Sequence, residues 1–299
     1  MKSFILRFLL GVFALGFVAT SGLAQTQAGA IKAMKVSGEV SRIDSAGVTT
    51  PVADGTLLTE SDTIVTGANS RVVLVFMNGA SVMLGANSRL LVEQFKMDPL
   101  NDSIAVGQLK GEPSVSQTTL NLSYGELVGD VKKLNKSSTY NIKTAVGAAG
   151  IRGTTFRIVV QPSANGKTFA FSLATSEGVV VFTGIAADSL PVAVVAGTQV
   201  SASAEIGTTD GAVTSSQTGV TAISSDAAAA IEIALFDVIN PAQATGVFTP
   251  AEQQQAADGG DAAGAQAGGA PADAPADSPI DLPSTTEALP TAPTVVSPT

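Results

Sequence analysis

Asp62 to Val92 reads DTIVTGANSRVVLVFMNGASVMLGANSRLLV and contains the plainest structural signal of the chain. Two runs rich in aliphatic and β-branched residues, 72–77 and 81–84, flank the pair Asn78-Gly79. An Asn-Gly pair in this position predicts a β-hairpin with a type I′ turn, because both central residues of that turn need a positive φ. The first run is apolar at consecutive positions, which predicts a strand that is covered on both faces.

The same segment contains a short internal repeat. Gly67-Ala-Asn-Ser-Arg71 recurs as Gly85-Ala-Asn-Ser-Arg89, and each copy leads into an aliphatic run. Equivalent turns that lead into equivalent strands indicate stacked β layers. Further short strand patterns, separated by Gly, Asn and Asp, extend to about Ser203. Together they predict an all-β fold of stacked short strands in a sandwich, a roll or a solenoid-like arrangement.

The two ends of the chain have other patterns. Lys2 and Arg7 precede an apolar core and the small-residue site Gly22-Leu-Ala24, which predicts a cleaved signal peptide. Near the other end, Ser225 or Asp226 is a suitable cap for a helix that Pro241 would end. Ile231, Leu235 and Val238 would share one face of that helix. We expect no later segment to span a membrane.

The chain therefore divides into six predicted segments. They are a signal peptide at 1–24, a leader at 25–34, a β domain at 35–160, a β-rich extension at 161–223, a short helix at 224–240 and a disordered acidic tail at 250–299. The tail is predicted to be disordered because its Ala, Pro, Gly and Asp residues cannot bury enough apolar surface to offset chain entropy. It would act as a soluble spacer.

Composition excludes several classes of function. The sequence has no cysteine and no histidine, so thiolate metal sites, disulfides and hydrolases of the Ser-His-Asp and Cys-His kinds are ruled out. Residues 25–167 contain 14 basic and 11 acidic residues, giving +3, whereas residues 168–299 contain 14 acidic residues and no basic one, giving −14. Such an acidic half repels polyanions, so we expect no nucleic-acid partner. We expect no cofactor, metal ion or catalytic residue.

The order of the motifs resembles the FecR domain. The matching residues are Gly38-Glu-Val40, Leu58, Asp62-x-Ile64-x-Thr66-Gly67, Ser70-x-Val72-x-Leu74-x-Phe76-x-x-Gly79, Ser81-x-x-Leu84, Gly125-x-Leu127, Tyr140-x-Ile142-x-Thr144 and Ile151-Arg-Gly-Thr-x-Phe156. The resemblance covers about residues 35–160. It implies an extracytoplasmic β domain.

This sequence also departs from the family pattern. Ser61 stands where the pattern Leu-x-x-Gly-Asp has glycine. The family's regulators of iron uptake carry a segment that holds a sigma factor and one membrane span, and neither pattern occurs here. The resemblance therefore implies the β domain without the signalling apparatus.

Five residues in turns are candidate partner contacts: Asn69, Arg71, Asn87, Arg89 and Arg152. Arg152 on its glycine turn could donate two hydrogen bonds to a partner's carboxylate, or it could pair with an acid of its own domain. The basic run 132–152 could contact an anionic glycan or the acidic tail, or form a solvated face.

These observations predict an exported, non-catalytic module that binds or supports other components of the bacterial cell envelope. Its partner would be an envelope protein or a glycan, and its location the periplasm or the cell surface. One alternative is an envelope sensor that signals through a separate membrane protein. The other is a glycan-active enzyme that depends on carboxylates, since those need no histidine.

Overall fold

The computed structural model describes residues 26–186, 188–206, 213–244 and 246–259. The predicted signal peptide and the tail from residue 260 lie outside the described residues. The described part consists mostly of β-strands. In the first half these are β1 Gln27–Ala28, β2 Ile31–Ser37, β3 Val40–Ile43, β4 Thr49–Pro51, β5 Leu57–Leu58, β6 Thr63–Thr66, β7 Arg71–Phe76, β8 Ser81–Leu84, β9 Ser88–Met97, β10 Ile104–Ala105 and β11 Ser116–Asp130.

The second half adds more strands and two α-helices. The strands are β12 Thr139–Thr144, β13 Gly147–Ile151, β14 Thr155–Pro162, β15 Thr168–Glu177, β16 Val179–Gly184, β17 Val192–Val195, β18 Thr198–Ile206, β19 Val213–Gln217, β20 Thr221–Ala222 and β21 Val247–Phe248. The helices are α1 Ser225–Ala244 and α2 Pro250–Ala257, and a 3₁₀ turn covers Val106–Gln108.

All strands except β10 and β21, which pair only with each other, form two sheets that face each other. Sheet I has the order β4-β3-β6-β9-β11-β12-β13-β16-β17, with β1 beside the end of β9. Sheet II has the order β5-β2-β7-β8-β11-β14-β15-β18, and β19 and β20 both pair with β18. The predicted all-β architecture is confirmed, and among the arrangements considered it is the sandwich.

Strand β11 belongs to both sheets. Its first part, up to Tyr124, pairs with β9 and β12 in sheet I, and its last part, from Gly125, pairs with β8 and β14 in sheet II. Gly125 has a φ of 102°, which turns the strand from one sheet into the other. A side chain at this position would overlap Ser88 Oγ. Glycine is therefore required both for the backbone angle and for the close approach.

The two copies of Gly-Ala-Asn-Ser-Arg form equivalent corners between the sheets. In the first copy, the Gly67 N–H donates to Glu39 O (2.9 Å) and Ser70 Oγ accepts from the Glu39 N–H (2.8 Å). In the second, Gly85 and Ser88 make the same two bonds to Glu126, at 2.9 and 3.0 Å. The two copies of the repeat therefore have the same local structure: in each one, the glycine and the serine bond to the backbone of a glutamate from another segment of the chain.

Aromatic and aliphatic side chains fill the space between the sheets. Phe76 of sheet II packs edge-on against Phe95 of sheet I, with ring centroids 5.1 Å apart. Phe171 of sheet II stacks on Phe182 of sheet I at 4.5 Å. All four rings are buried. These contacts join the two sheets into one hydrophobic core.

Helix α1 lies against the outer face of sheet II, where it contacts β7, β8, β11 and their neighbours. Val73 and Val75, which point away from the core between the sheets, are buried there. The prediction that strand 72–77 is covered on both faces is confirmed.

The predicted helix is present, but Ser224 Oγ accepts from the Ala227 N–H (3.2 Å) at its start, and Pro241 lies within the helix. The prediction that Pro241 ends the helix is wrong.

The predicted hairpin is present, but its turn differs from type I′. Gly79 has a φ of 97° whereas Asn78 is not in the left-handed region, and the Gly79 N–H donates to Phe76 O (2.9 Å). This is the longer hairpin loop with one left-handed glycine. Asn78 is buried and donates to Ser116 Oγ (3.0 Å), and this tertiary contact explains its conformation.

Both proposed boundaries of the β region need correction. β1 and the start of β2 lie in the predicted leader 25–34. Residues 246–259, which we call the C-terminal strap, form β21 and α2, and α2 lies in the segment that was predicted to be disordered from residue 250 onward. The strap is ordered because Phe248 and Ala256 are buried and Lys32 Nζ bonds to both Val247 O and Glu252 Oε1, at 2.8 Å each.

Candidate binding site

Four of the five candidate contact residues lie at the two corners. Asn69 and Asn87 are exposed in left-handed conformations, with φ of 54° and 50°. The Asn87 N–H donates to Gly67 O (3.0 Å), so the two turns are neighbours. Arg71 is also exposed, and its Nε lies 3.6 Å from Asp237 of α1. Arg89 follows the second corner on the outer face of sheet I. The structure thus brings these four residues to one end of the sandwich.

Arg152 lies at the opposite end. In the pairing of β11 with β14, Val160 lies across from Gly125, at the corners, and Thr155 lies across from Asp130. Arg152 lies three residues before Thr155, in the turn between β13 and β14. Its side chain is exposed, and Nη2 donates to Lys136 O (3.3 Å). The predicted contacts therefore form two separate surfaces.

A groove runs along the outer face of sheet I beside Arg152. Its volume is about 380 Å³, and Asn141, Gly150, Arg152, Val179 and Val181 are among its lining residues. Gly150 lies between Asn141 of β12 and Val181 of β16 in the ladder. Because glycine has no side chain, the outer surface of sheet I has a depression at this point. A Cβ at Gly150 would meet Asn141 Oδ1 and Val181 O at 3.7 Å, an ordinary contact distance.

The floor and walls of the groove have different chemistry. Val179 and Val181 are exposed on β16, and Val195 of the edge strand β17 lies across from Val179. The Tyr140 ring is buried in the core, 6.4 Å from Phe76, so only the backbone of this residue faces the groove. Burial raises the pKa of the Tyr140 hydroxyl, which therefore stays protonated. The lining is thus aliphatic and amide, without an aromatic platform for a sugar ring.

A basic loop borders the groove at its Arg152 end. Residues 131–138 connect β11 to β12 and include Lys132, Lys133 and Lys136. Lys132 Nζ pairs with Asp130 (2.6 Å), whereas Lys133 and Lys136 are exposed and have no carboxylate within 4.0 Å among the described residues. Lys133 also lines a second depression, on the other side of Arg152, which Glu177 shares. The free positive charges therefore surround Arg152.

Buried Glu112 holds this loop in place. Its carboxylate accepts from Ser138 Oγ (2.6 Å), the Asn135 N–H (2.8 Å) and Ser116 Oγ, and its own N–H donates to Lys133 O (3.0 Å). Sequence analysis did not identify Glu112 as a functional or structural residue. The signal available was one acid in the run 110–118, which does not reveal contacts 20 or more residues away.

The other buried carboxylate is also structural. Asp62 accepts from the Thr59 N–H and from Arg42 Nε, at 2.7 Å each. Burial raises the pKa of Asp62, although these two donors act in the opposite direction. Within the described residues, no group of three or more acidic side chains is arranged to hold a metal ion. The arrangement around Gly150 and Arg152 has the shape and charge to bind an anionic group next to an aliphatic one.

Comparison with known proteins agrees with the motif pattern. Residues 62–186 match the family described as FecR protein. The match confirms the resemblance to the FecR domain from residue 62 onward and extends beyond the predicted end at 160, but it does not include residues 35–61 of the predicted range. Ser61 has a φ of 75°, so the position where the family pattern has glycine is left-handed in this chain as well.

More distant similarities are limited. Two crystal structures of a candidate anti-sigma factor from Parabacteroides distasonis ATCC 8503, at 1.65 and 2.50 Å resolution, each align with a TM-score of 0.33 and 12% identity. Each alignment covers 52% of this chain and 58% of the other, so the chain spans less than two thirds of these relatives. No curated protein matches the chain. In the described residues, no helix is both long and apolar enough to cross a membrane.

Proposed function

We propose that this chain is an exported, non-catalytic binding module of the bacterial cell envelope, and that the groove over Gly150 is its binding surface. The observation that carries this proposal is the outer face of sheet I at β13, β16 and β17, which no described residue covers. Helix α1 packs against sheet II, whereas the β13, β16 and β17 end of sheet I exposes aliphatic side chains beside an arginine that no carboxylate of the described residues neutralises. Contiguous apolar surface bordered by charge is typical of an interaction site.

The sensor alternative has one observation in its favour, which is the FecR match itself. A sensor would use the same β body to bind a separate membrane protein that transmits the signal. The two functions share a binding step and differ in whether occupancy of the groove alters transcription. Reporter expression in a strain that carries a groove variant would distinguish them.

The proposal is tested by capture from envelope extracts. The wild-type chain, Gly150→Leu and a Lys167→Gln control would be immobilised, and bound components would be quantified. We expect Gly150→Leu to lose specific components because leucine fills the groove. Lys167→Gln should retain them, because Lys167 is exposed in the turn between β14 and β15, at the end of β14 that lies away from Arg152. Equal recovery with all three chains would refute the role of the groove.

Fractionation of cells would test the proposed location, and recovery of the chain in the cytoplasm would contradict it.

A further inference from the structure

We infer that the groove takes an extended acidic peptide segment of another envelope protein, in which an aliphatic and an acidic residue alternate along one face. This inference rests on the proposed function and names its ligand. It follows from three features of the groove: the aliphatic wall, the position of Arg152 and the spacing between them.

The spacing fits an extended chain. Gly150 of β13 and Arg152, the first residue after β13, are two residues apart and both line the groove, whereas the side chains of Ala149 and Ile151 are buried. Two residues of a strand span about 6.5 to 7 Å. Side chains at i and i+2 of an extended peptide have the same separation. An aliphatic side chain over Gly150, between Asn141 and Val181, therefore places the residue two positions away next to Arg152.

The positive charges around Arg152 indicate that the peptide residue next to Arg152 is acidic. Arg152 lines the groove, Lys133 lines the neighbouring depression that Arg152 shares, and Lys136 accepts the Arg152 hydrogen bond through its backbone carbonyl. Glu177 also lines that depression, and no base of the described residues lies within 4.0 Å of its carboxylate. The Arg152 side chain is held by its bond to Lys136 O, and Glu112 fixes the loop that carries Lys136. A guanidinium fixed in this way forms a short, charge-assisted pair with a carboxylate.

The same features argue against other anionic ligands. A glycan would need aromatic side chains for stacking, and Tyr140, the aromatic residue nearest to Gly150 along the lining, points into the core. A nucleic acid would be repelled by the net charge of −9. A peptide needs only the aliphatic wall and the arginine.

The test uses three synthetic twelve-residue peptides and the purified chain. One repeats Val-Ser-Glu-Ser, the second Val-Ser-Lys-Ser and the third Ser-Ser-Glu-Ser. Binding would be followed by NMR chemical-shift titration. We expect the first peptide to shift the amide signals of Gly150, Arg152 and Val181, with weaker binding at higher salt. Equal binding of the lysine peptide, or of the peptide without valine, would overturn the inference.

Variants locate the contact. Arg152→Gln should weaken binding of the first peptide by about five- to tenfold, the effect of losing one charge-assisted pair. Gly150→Leu should abolish the shifts, and Lys167→Gln, in the exposed turn between β14 and β15, should leave affinity unchanged. Thermal unfolding of each variant confirms that it is folded. If the peptide fails to bind while capture from envelope extracts still depends on Gly150, the ligand class is wrong and the proposed function stands. If Gly150→Leu leaves capture intact, the proposed function itself fails.

Discussion

Ser61 shows how a single backbone angle explains a family pattern. Its φ of 75° is left-handed, and the Ser61 N–H donates to Val92 O (2.8 Å), which fixes the turn before β6. A non-glycine residue in this region costs about 1 to 2 kcal/mol. Glycine removes that cost but gains freedom in the unfolded chain, which offsets part of the benefit.

We predict that Ser61→Gly raises the free energy of unfolding by about 0.5 to 1 kcal/mol. Urea unfolding would measure the change. Asn69→Gly is a matched control, because asparagine tolerates the left-handed region better and the gain there should be smaller. A lower free energy of unfolding for Ser61→Gly would show that the serine side chain stabilises the fold by more than its left-handed backbone conformation destabilises it.

The second prediction concerns Tyr140. Its ring is buried, and its hydroxyl has no hydrogen-bond partner among the described residues. An unsatisfied buried hydroxyl costs about 1 to 3 kcal/mol, which phenylalanine avoids. Tyr140→Phe should therefore raise the midpoint of thermal unfolding by about 2 to 4 °C. Tyr124→Phe, at a half-buried position, is the control and should change little. A lower midpoint for Tyr140→Phe would indicate a polar partner for the hydroxyl.

At the scale of single elements, the C-terminal strap depends on charge. Burial alone would raise the pKa of Glu252, but hydrogen bonds from Lys32 and from Thr249 outweigh it and lower the pKa below its ordinary 4.5. An acid whose pKa is lowered by folding stabilises the fold fully above its unfolded pKa. That contribution is lost as the pH falls through the lower, folded pKa.

We therefore predict that acid releases the strap. Between pH 6 and pH 5, amide hydrogen exchange in residues 246–259 should stay slow once corrected for the intrinsic rate. Below about pH 4.5 it should accelerate as Glu252 takes up its proton. Glu252→Gln lacks this titration, so its strap should show a weaker pH dependence. An identical acid response in both proteins would show that another group controls the strap.

The sequence predicted some of the secondary-structure elements and missed others. The hairpin around Asn78-Gly79 and helix α1 have local signals, so the sequence located both. The turn type did not follow, because Asn78 bonds to Ser116, a residue that is distant in the sequence. The cap of α1 did not follow either, because Ser224, Ser225 and Asp226 are adjacent residues that are all suitable caps, and the structure uses Ser224. α2 was missed since its polar residues resemble the tail that follows. Its order comes from the buried side chain of Ala256 and from a partly buried ion pair between Glu252 and Lys32, 220 residues earlier in the chain.

At the scale of the whole molecule, the sequence predicted stacked strands and the corner repeat but not how the corners join the sheets. That arrangement depends on pairings between distant segments, such as β2 with β7 and β11 with β14. The sequence also did not predict the groove. Arg152 was a candidate, but Gly150 acquires its role only when β12 and β16 lie on either side of it.

Because β11 belongs to both sheets, damage at its crossing point should affect both. Gly125→Ala combines a left-handed alanine, at about 1 to 2 kcal/mol, with overlap against Ser88, at about 1 to 3 kcal/mol. We expect a loss of about 3 kcal/mol, with hydrogen exchange accelerating in β12 and β14 together, one from each sheet. Gly55→Ala is the control: its φ is 87°, but nothing lies within 4 Å of an added Cβ, so about 1 to 2 kcal/mol should be lost. Acceleration confined to one sheet would show that the two halves of the sandwich open independently, despite the strand that they share.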